Sequence, residues 1–207
     1  MDIILVGIQW SGKWTQARKI VDNFSYSFFE MWQKLRNFCE IGHELSQDVR
    51  EHINLWKLVP QDMIAKILSH YKETHRWVNI LFDGIPRNIE QKDLFDEIIK
   101  DYIVIFLDLQ KSDAIARLAG RRIDPITWES FSSDFTWDIN PKTWNKLITR
   151  SDDTPEAVSK RVDIFYQNTL PLLALWASEW RKVYKIDASK SIDEVFEEIR
   201  KILDWKK

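Results

Sequence analysis

A glycine-containing turn early in the chain, Gly7-Ile8-Gln9-Trp10-Ser11-Gly12-Lys13-Trp14-Thr15, has the composition of a phosphate cradle. An apolar run over residues 3–6 precedes it, and a helical pattern over 14–21 follows. Between a strand and a helix, such a turn aims backbone N–H groups and the helix N-terminus at an anion. The lysine can then reach the outer phosphates of a triphosphate. A strict phosphate loop has Ser or Thr directly after the lysine; here Trp14 takes that place and Thr15 comes next. Taken alone, the spacing also fits a chance Gly-x-x-x-x-Gly-Lys in a strand–helix turn.

A second cluster is Asn79-Ile80-Leu81-Phe82-Asp83-Gly84-Ile85-Pro86-Arg87-Asn88, with Gln91 after it. A carboxylate at the end of a buried strand, Asp83, can organise waters around Mg²⁺. Arg87 can fork two phosphate oxygens, and the planar amide of Gln91 can read a base edge. A third set is Arg117, Arg121 and Arg122 around Gly120, then Arg150 and Arg161. Phosphoryl transfer spreads charge over equatorial oxygens, so several guanidiniums converging on one point suit that reaction. The plainer readings are a turn-forming Asp83 and solvated surface arginines.

Positioning these groups falls to an alternation of short apolar runs and helical stretches. Strands are expected over 3–6, 26–29, 78–82, 102–107 and 183–186. Helical patterns run over 14–21, 94–100, 114–120 and 192–203, with helical periodicity also around 35–36, 45–49 and 63–68. This rhythm predicts parallel βαβ units, an α/β fold with helices on both faces of the sheet. Residues 122–150 break it: they are polar, with few apolar positions, as a functional lid or a loop would be. Asp152-Asp153-Thr154-Pro155-Glu156 reads as a helix start.

Composition sets bounds. At 207 residues the chain suits one domain with small insertions, and 44% hydrophobic residues can build a core. A net charge of −2 argues against a nucleic-acid binder. No apolar run is long enough to span a membrane. Met1-Asp2 leads straight into a strand, which predicts no signal peptide. The single cysteine, Cys39, allows neither an intrachain disulfide nor a cysteine-built zinc site, and a cytoplasmic protein is expected.

Together these motifs resemble those of the adenylate kinase family. Asp83-Gly84-Ile85-Pro86-Arg87 is similar to its Asp-Gly-Phe-Pro-Arg signature, and the family shares the offset between Lys13 and Thr15. Further matches are Leu35-Arg36, Trp56-Lys57-Leu58-Val59-Pro60, Gly120-Arg121-Arg122, Thr149-Arg150-Ser151-Asp152-Asp153, Lys160-Arg161 and Asp187-Ala188-Ser189-Lys190. The resemblance implies a three-layer α/β/α P-loop kinase fold with a five-stranded parallel sheet. It implies a core (1–29, 60–121, 151–207), a monophosphate-binding insertion (30–59) and a long lid (122–150) without structural zinc. The implied reaction is Mg²⁺-dependent transfer from ATP to AMP, giving two ADP, in a monomer. By this resemblance ATP is held by Trp10, Ser11, Gly12, Lys13, Trp14, Thr15, Arg117, Arg121, Ser130, Phe131 and Lys190. AMP is held by Met31, Arg36, Lys57, Leu58, Val59, Gly84, Arg87, Gln91, Arg150 and Arg161. Lys13, Arg87, Arg121, Arg150 and Arg161 are the implied catalytic groups, and Asp83 holds the metal through water. Glu30-Met31-Trp32-Gln33 departs from the family's Ser-Thr-Gly-Asp, which leaves open a kinase for UMP or CMP.

Tryptophan is the other departure. Trp10, Trp14, Trp32, Trp56, Trp128, Trp144 and Trp180 fall where the family usually has glycine. The chain has 5 glycines and 11 tryptophans, 16 together, against about 14 glycines expected for its length. Either the tryptophans are real and the loop is impaired, or the gene is decoded with UGA as glycine. The second reading extends to Trp77, Trp137, Trp176 and Trp205.

Overall fold

The computed structural model describes residues 1–40, 47, 50–51, 59–118, 121–127, 129–131, 135–149 and 154–204. The expected periodicity over 45–49 lies mostly outside them, as do Trp56, Lys57, Leu58, Trp128, Arg150 and Trp205.

Five strands form one parallel sheet: β1 (Asp2–Gly7), β2 (Tyr26–Glu30), β3 (Asn79–Asp83), β4 (Tyr102–Asp108) and β7 (Val183–Asp187). Their order is β2-β3-β1-β4-β7. Strand β1 sits in the middle because it is apolar on both faces, as a strand covered by helices on both sides must be. The chain moves to one side of β1 for β2 and β3 and to the other for β4 and β7. The crevice at the carboxyl ends of the strands, where that order reverses, is where α/β sheets bind ligands. Register carries Glu30 beside Asp83, and Asp83 beside Leu5, along that edge.

Helices α1 (Lys13–Asn23), α2 (Met31–Glu40), α3 (Gln61–Thr74), α4 (Ile89–Ile98), α5 (Lys111–Leu118) and α8 (Ile192–Asp204) follow the strands. The closing helix shows why: Val195, Phe196, Ile199 and Leu203 recur at helical spacing and are all buried. Sequence periodicity misses two consecutive elements. After α6 (Pro155–Ile164), capped by Thr154 Oγ1 accepting from Ala157 N, the chain makes a π-helical turn, Phe165–Thr169. It then continues as α7 (Pro171–Ser178).

The segment after Arg121 also differs from expectation. It contains a small antiparallel pair, β5 (Arg122–Ile123) with β6 (Ser130–Phe131), and bridges joining Ile123 to Ile148 and Ile139 to Lys146. Its polar residues are not all solvated. Asp124 and Asn140 are fully buried, and Asp124 accepts from Asn140 Nδ2, Asn145 Nδ2, Thr143 Oγ1 and the N–H groups of Ile126 and Thr127. Burial pushes this carboxyl up, but the donors, Thr143 foremost, outweigh it and hold the group well below the usual carboxylate range.

The tryptophans divide sharply. Trp10, Trp144 and Trp180 have φ of 65°, 61° and 61°, and no other described non-glycine residue has positive φ. That region costs an L side chain roughly 1–2 kcal/mol per residue. Trp176 is the opposite case. It lies within α7, is 0% exposed, and its Nε1 donates to Tyr102 Oη at 2.9 Å.

Candidate functional site

Strand β1 delivers Gly7 to the carboxyl edge of the sheet, and the loop then folds back over it. A Cβ on Gly7 would lie 2.4 Å from Ser11 Oγ and 2.9 Å from Leu107 O, so only glycine fits there. Ser11 N donates to Ile8 O at 3.1 Å, which closes a tight turn. Gly12, at φ 87°, is the N-cap of α1 and offers no side-chain cap, so the first N–H groups of the helix face outward for an anion.

Lys13 stands at the head of α1. Its Nζ donates to Gly7 O at 2.8 Å and Ile8 O at 3.1 Å, holding the loop's own carbonyls until a phosphate offers better acceptors. Asp83 ends β3, only 8% exposed, and its Oδ1 has no hydrogen-bond partner among the described residues. The two groups are electrostatically coupled. Burial lowers the lysine against the pull of Asp83, and burial raises the carboxyl against the pull of Lys13 and Arg87. Arg87 is held by its Nε on Gly84 O at 2.9 Å, and burial lowers it too.

These groups line a cavity of about 130 Å³ together with Glu30, Trp32 and Thr169. A larger hollow, about 320 Å³, lies at the opposite edge of the sheet among Met1, Asp101, Trp180 and Lys182. Of the two, only the smaller cavity combines a phosphate-type loop with a half-buried lysine and a carboxylate oxygen lacking a partner among the described residues. Chemistry therefore selects the site over volume.

The arginines approach from several elements. Arg121 and Arg161 place their guanidiniums 5.7 and 5.5 Å from the centre of the Trp10 ring. The groups expected at the transferred phosphoryl thus rest on an indole in the phosphate loop. Arg117 reaches across to donate to Ala188 O at 2.8 Å, which ties α5 to the loop after β7. Arg36, on α2, lies 5.4 Å from the Trp32 ring, at the cavity wall. Hard cations favour oxygen ligands and their own waters. The buried Asp83 Oδ1, without a hydrogen-bond partner among the described residues, fits Mg²⁺ held through its water shell.

A family profile described as adenylate kinase matches residues 5–180. The chain is 32% identical to the adenylate kinase of Methanosarcina barkeri over 212 residues, which covers 98% of each chain. It is 30% identical to that of Natronomonas pharaonis over 203 residues, covering 98% of this chain and 96% of the relative. Adenylate kinase 2 of Schistosoma mansoni is 30% identical over 216 residues, covering 100% of this chain and 90% of that one.

The chain belongs to the adenylate kinase family. It is therefore a nucleoside monophosphate kinase, a phosphotransferase whose family binds nucleotides. Its fold is the three-layer α/β P-loop kinase fold of adenylate kinases.

Other expected residues fall into place unevenly. Met31 and Val59 are buried, and Gly84 has φ 81°. Gln91 is buried with its Oε1 accepting from Arg87 N at 2.9 Å, so its carbonyl oxygen holds the arginine loop. Trp14 lies under Arg18, 5.8 Å from its guanidinium, with Thr15 next to it in the first turn of α1. Phe131 packs against Phe135, ring centres 4.7 Å apart, and neighbouring Ser130 is exposed. Lys190 is paired with Glu198 at 2.5 Å.

Two contributors escape sequence reading. Glu30 lines the cavity and acts electrostatically on both Lys13 and Arg87. Its position beside Asp83 in the register was the available signal. Thr169, in the π-helical turn, donates its Oγ1 to Arg87 O at 2.9 Å. Such turns are common at functional sites, but no local pattern announces this one.

Proposed function

We propose that this protein catalyses ATP + AMP ⇌ 2 ADP with Mg²⁺. The reading rests chiefly on one juxtaposition: Lys13, Asp83 and Arg87 meeting at the carboxyl edge of β1 and β3, beneath a loop of backbone donors. On this reading Lys13 leaves the carbonyls of Gly7 and Ile8 for the outer phosphates. The N–H groups after Gly12 hold the same anion. Arg36 and Arg87 take the monophosphate, and Gln91 keeps the Arg87 loop in place. Arg121, Arg150 and Arg161 spread over the oxygens of the moving phosphoryl group. Asp83 would hold Mg²⁺ through water when it is bound with ATP, and the ion would supply charge neutralisation at the phosphates.

We assign residues 30–59 to monophosphate binding and 122–150 to a lid. A closed lid excludes water and so directs the phosphoryl group to AMP rather than to hydrolysis. A second reading concerns the base. Met31 is turned into the core, and Gln33 Nε2 donates to Asn37 Oδ1 at 2.8 Å. Neither offers the hydroxyl or carboxylate that the family carries there, so UMP or CMP is the competing acceptor. Calorimetry with a bisubstrate dinucleotide, two adenosines joined by five phosphates, tests the reading. Tight binding that disappears in Lys13→Ala is expected; no binding to a folded protein carrying glycine at 10 and 14 would refute it.

A further inference from the structure

We propose that the natural protein carries glycine at positions 10, 144 and 180, inserted at UGA codons that the sequence renders as tryptophan, and a true tryptophan at 176. The inference stands on backbone geometry and does not depend on which nucleotides bind.

Each of the three positions sits in a turn that calls for glycine, and the three turns are of different kinds. Trp180 ends α7. Its N–H donates to Ala177 O at 3.1 Å, and Arg181 N donates to Trp176 O at 2.9 Å. These two bonds define the Schellman motif, whose left-handed residue is usually glycine. Trp180 is that residue, and its side chain is 93% exposed. Trp10 is the third residue of the turn closed by Ser11 N on Ile8 O, where positive φ again favours glycine. Trp144 closes the turn after Asn140, returning its N–H to Asn140 O at 2.8 Å, and is 77% exposed. Turns of this kind end on a left-handed residue, usually glycine.

Bulky residues are outliers in this region, and Asn, Asp and His are the usual exceptions. This chain has many of those, yet every described non-glycine residue with positive φ is a tryptophan. Core packing does not explain Trp144 and Trp180, which lie largely in water. Trp176 belongs to the same helix end and behaves otherwise. It is fully buried, in helical backbone, and hydrogen-bonded through its indole. Four residues apart, one tryptophan fits its place and the other does not. A decoding rule sorts them without further assumption, since UGG still specifies tryptophan.

The consequence reaches the nucleotide site. With glycine at 10, the indole against which Arg121 and Arg161 rest is gone from the phosphate loop.

Peptide mapping of the protein purified from the organism that carries the gene decides the matter. The tryptic peptide 162–181 is expected to contain glycine at 180 and tryptophan at 176, with glycine found at 10 and 144 in theirs. Tryptophan at any of those three positions, or glycine at 176, overturns the proposal. Stability provides an independent check on the chain expressed with tryptophan throughout. Trp180→Gly should raise Tm by roughly 2–8 °C, and Trp176→Gly should lower it. A fall in Tm for Trp180→Gly would remove the structural basis of the proposal.

Discussion

The two edges of the sheet each set a lysine among carboxylates, and they do opposite things with it. At the carboxyl edge, Lys13 holds its own loop's carbonyls while Asp83 keeps an oxygen without a partner among the described residues. At the amino edge, Lys92 donates to Asp96 at 2.8 Å and Glu179 at 2.7 Å. Asp96 also accepts from Tyr102 Oη, and Trp176 Nε1 donates to that same oxygen. Burial lowers both lysines. At Lys92 the hydrogen bonds to Asp96 and Glu179 more than offset it and raise the group, whereas Lys13 stays lowered. Satisfied charge at one edge holds the fold together. Charge left partly unsatisfied at the other is available to a substrate. The tryptophans follow the same division: Trp176 is built into the amino-edge network, and Trp10 lies against Arg121 and Arg161 at the carboxyl edge.

Four substitutions test this contrast. Trp176→Ala should have the largest effect, a stability loss of about 3–5 kcal/mol. Thermal unfolding should show a fall of roughly 6–20 °C for a chain of this size, with kcat of the surviving folded protein unchanged. Lys13→Ala, made in protein with glycine at 10 and 14, should behave in the reverse way. Turnover should drop by about 100–1000-fold, the loss typical of one preorganised charge, with no fall in Tm. If Lys13→Ala unfolded the chain or Trp176→Ala spared it, the two edges would not differ as described.

Glu30→Gln removes one negative charge beside Lys13 and Arg87. It should tighten metal-free ADP several-fold in calorimetry; weaker binding would show that Glu30 contacts the ligand favourably. Lys92→Met should leave activity intact and alter the alkaline limb of stability. A lysine raised in the fold contributes stability that is fully present below its unfolded value. That stability is lost as pH rises through the folded value, so the difference from wild type should shrink above the ordinary lysine range of about 10.4. Equal slopes for the two proteins in alkaline denaturant titrations would contradict the pairing at Lys92.

Much of this was legible beforehand because it is local. The apolar run of β1, the glycines around Lys13 and the Asp83–Arg87 segment each announce themselves within ten residues. Their meeting follows once the strands are parallel, since the carboxyl ends of neighbouring strands share an edge. What stayed hidden depends on distant partners. Asp124 looks like a solvated lid residue until Asn140, Thr143 and Asn145 fold over it. Thr169 reaches Arg87 only through a π-helical turn that no periodicity marks. The decoding reading extends to Trp176 as well as Trp180 in sequence, because the burial that separates them is a property of the whole fold.

The most direct test of the account is ADP formation from ATP and AMP with Mg²⁺, measured side by side for two proteins. One is the chain with its tryptophans, and the other carries Trp10→Gly and Trp14→Gly. Losing two amide–phosphate hydrogen bonds at roughly 1.5–3 kcal/mol each weakens ATP by at least about a hundredfold. The account predicts robust ADP formation from the glycine form and a deficit of that size in the other. No ADP from a folded glycine form, or equal rates from both, would contradict it.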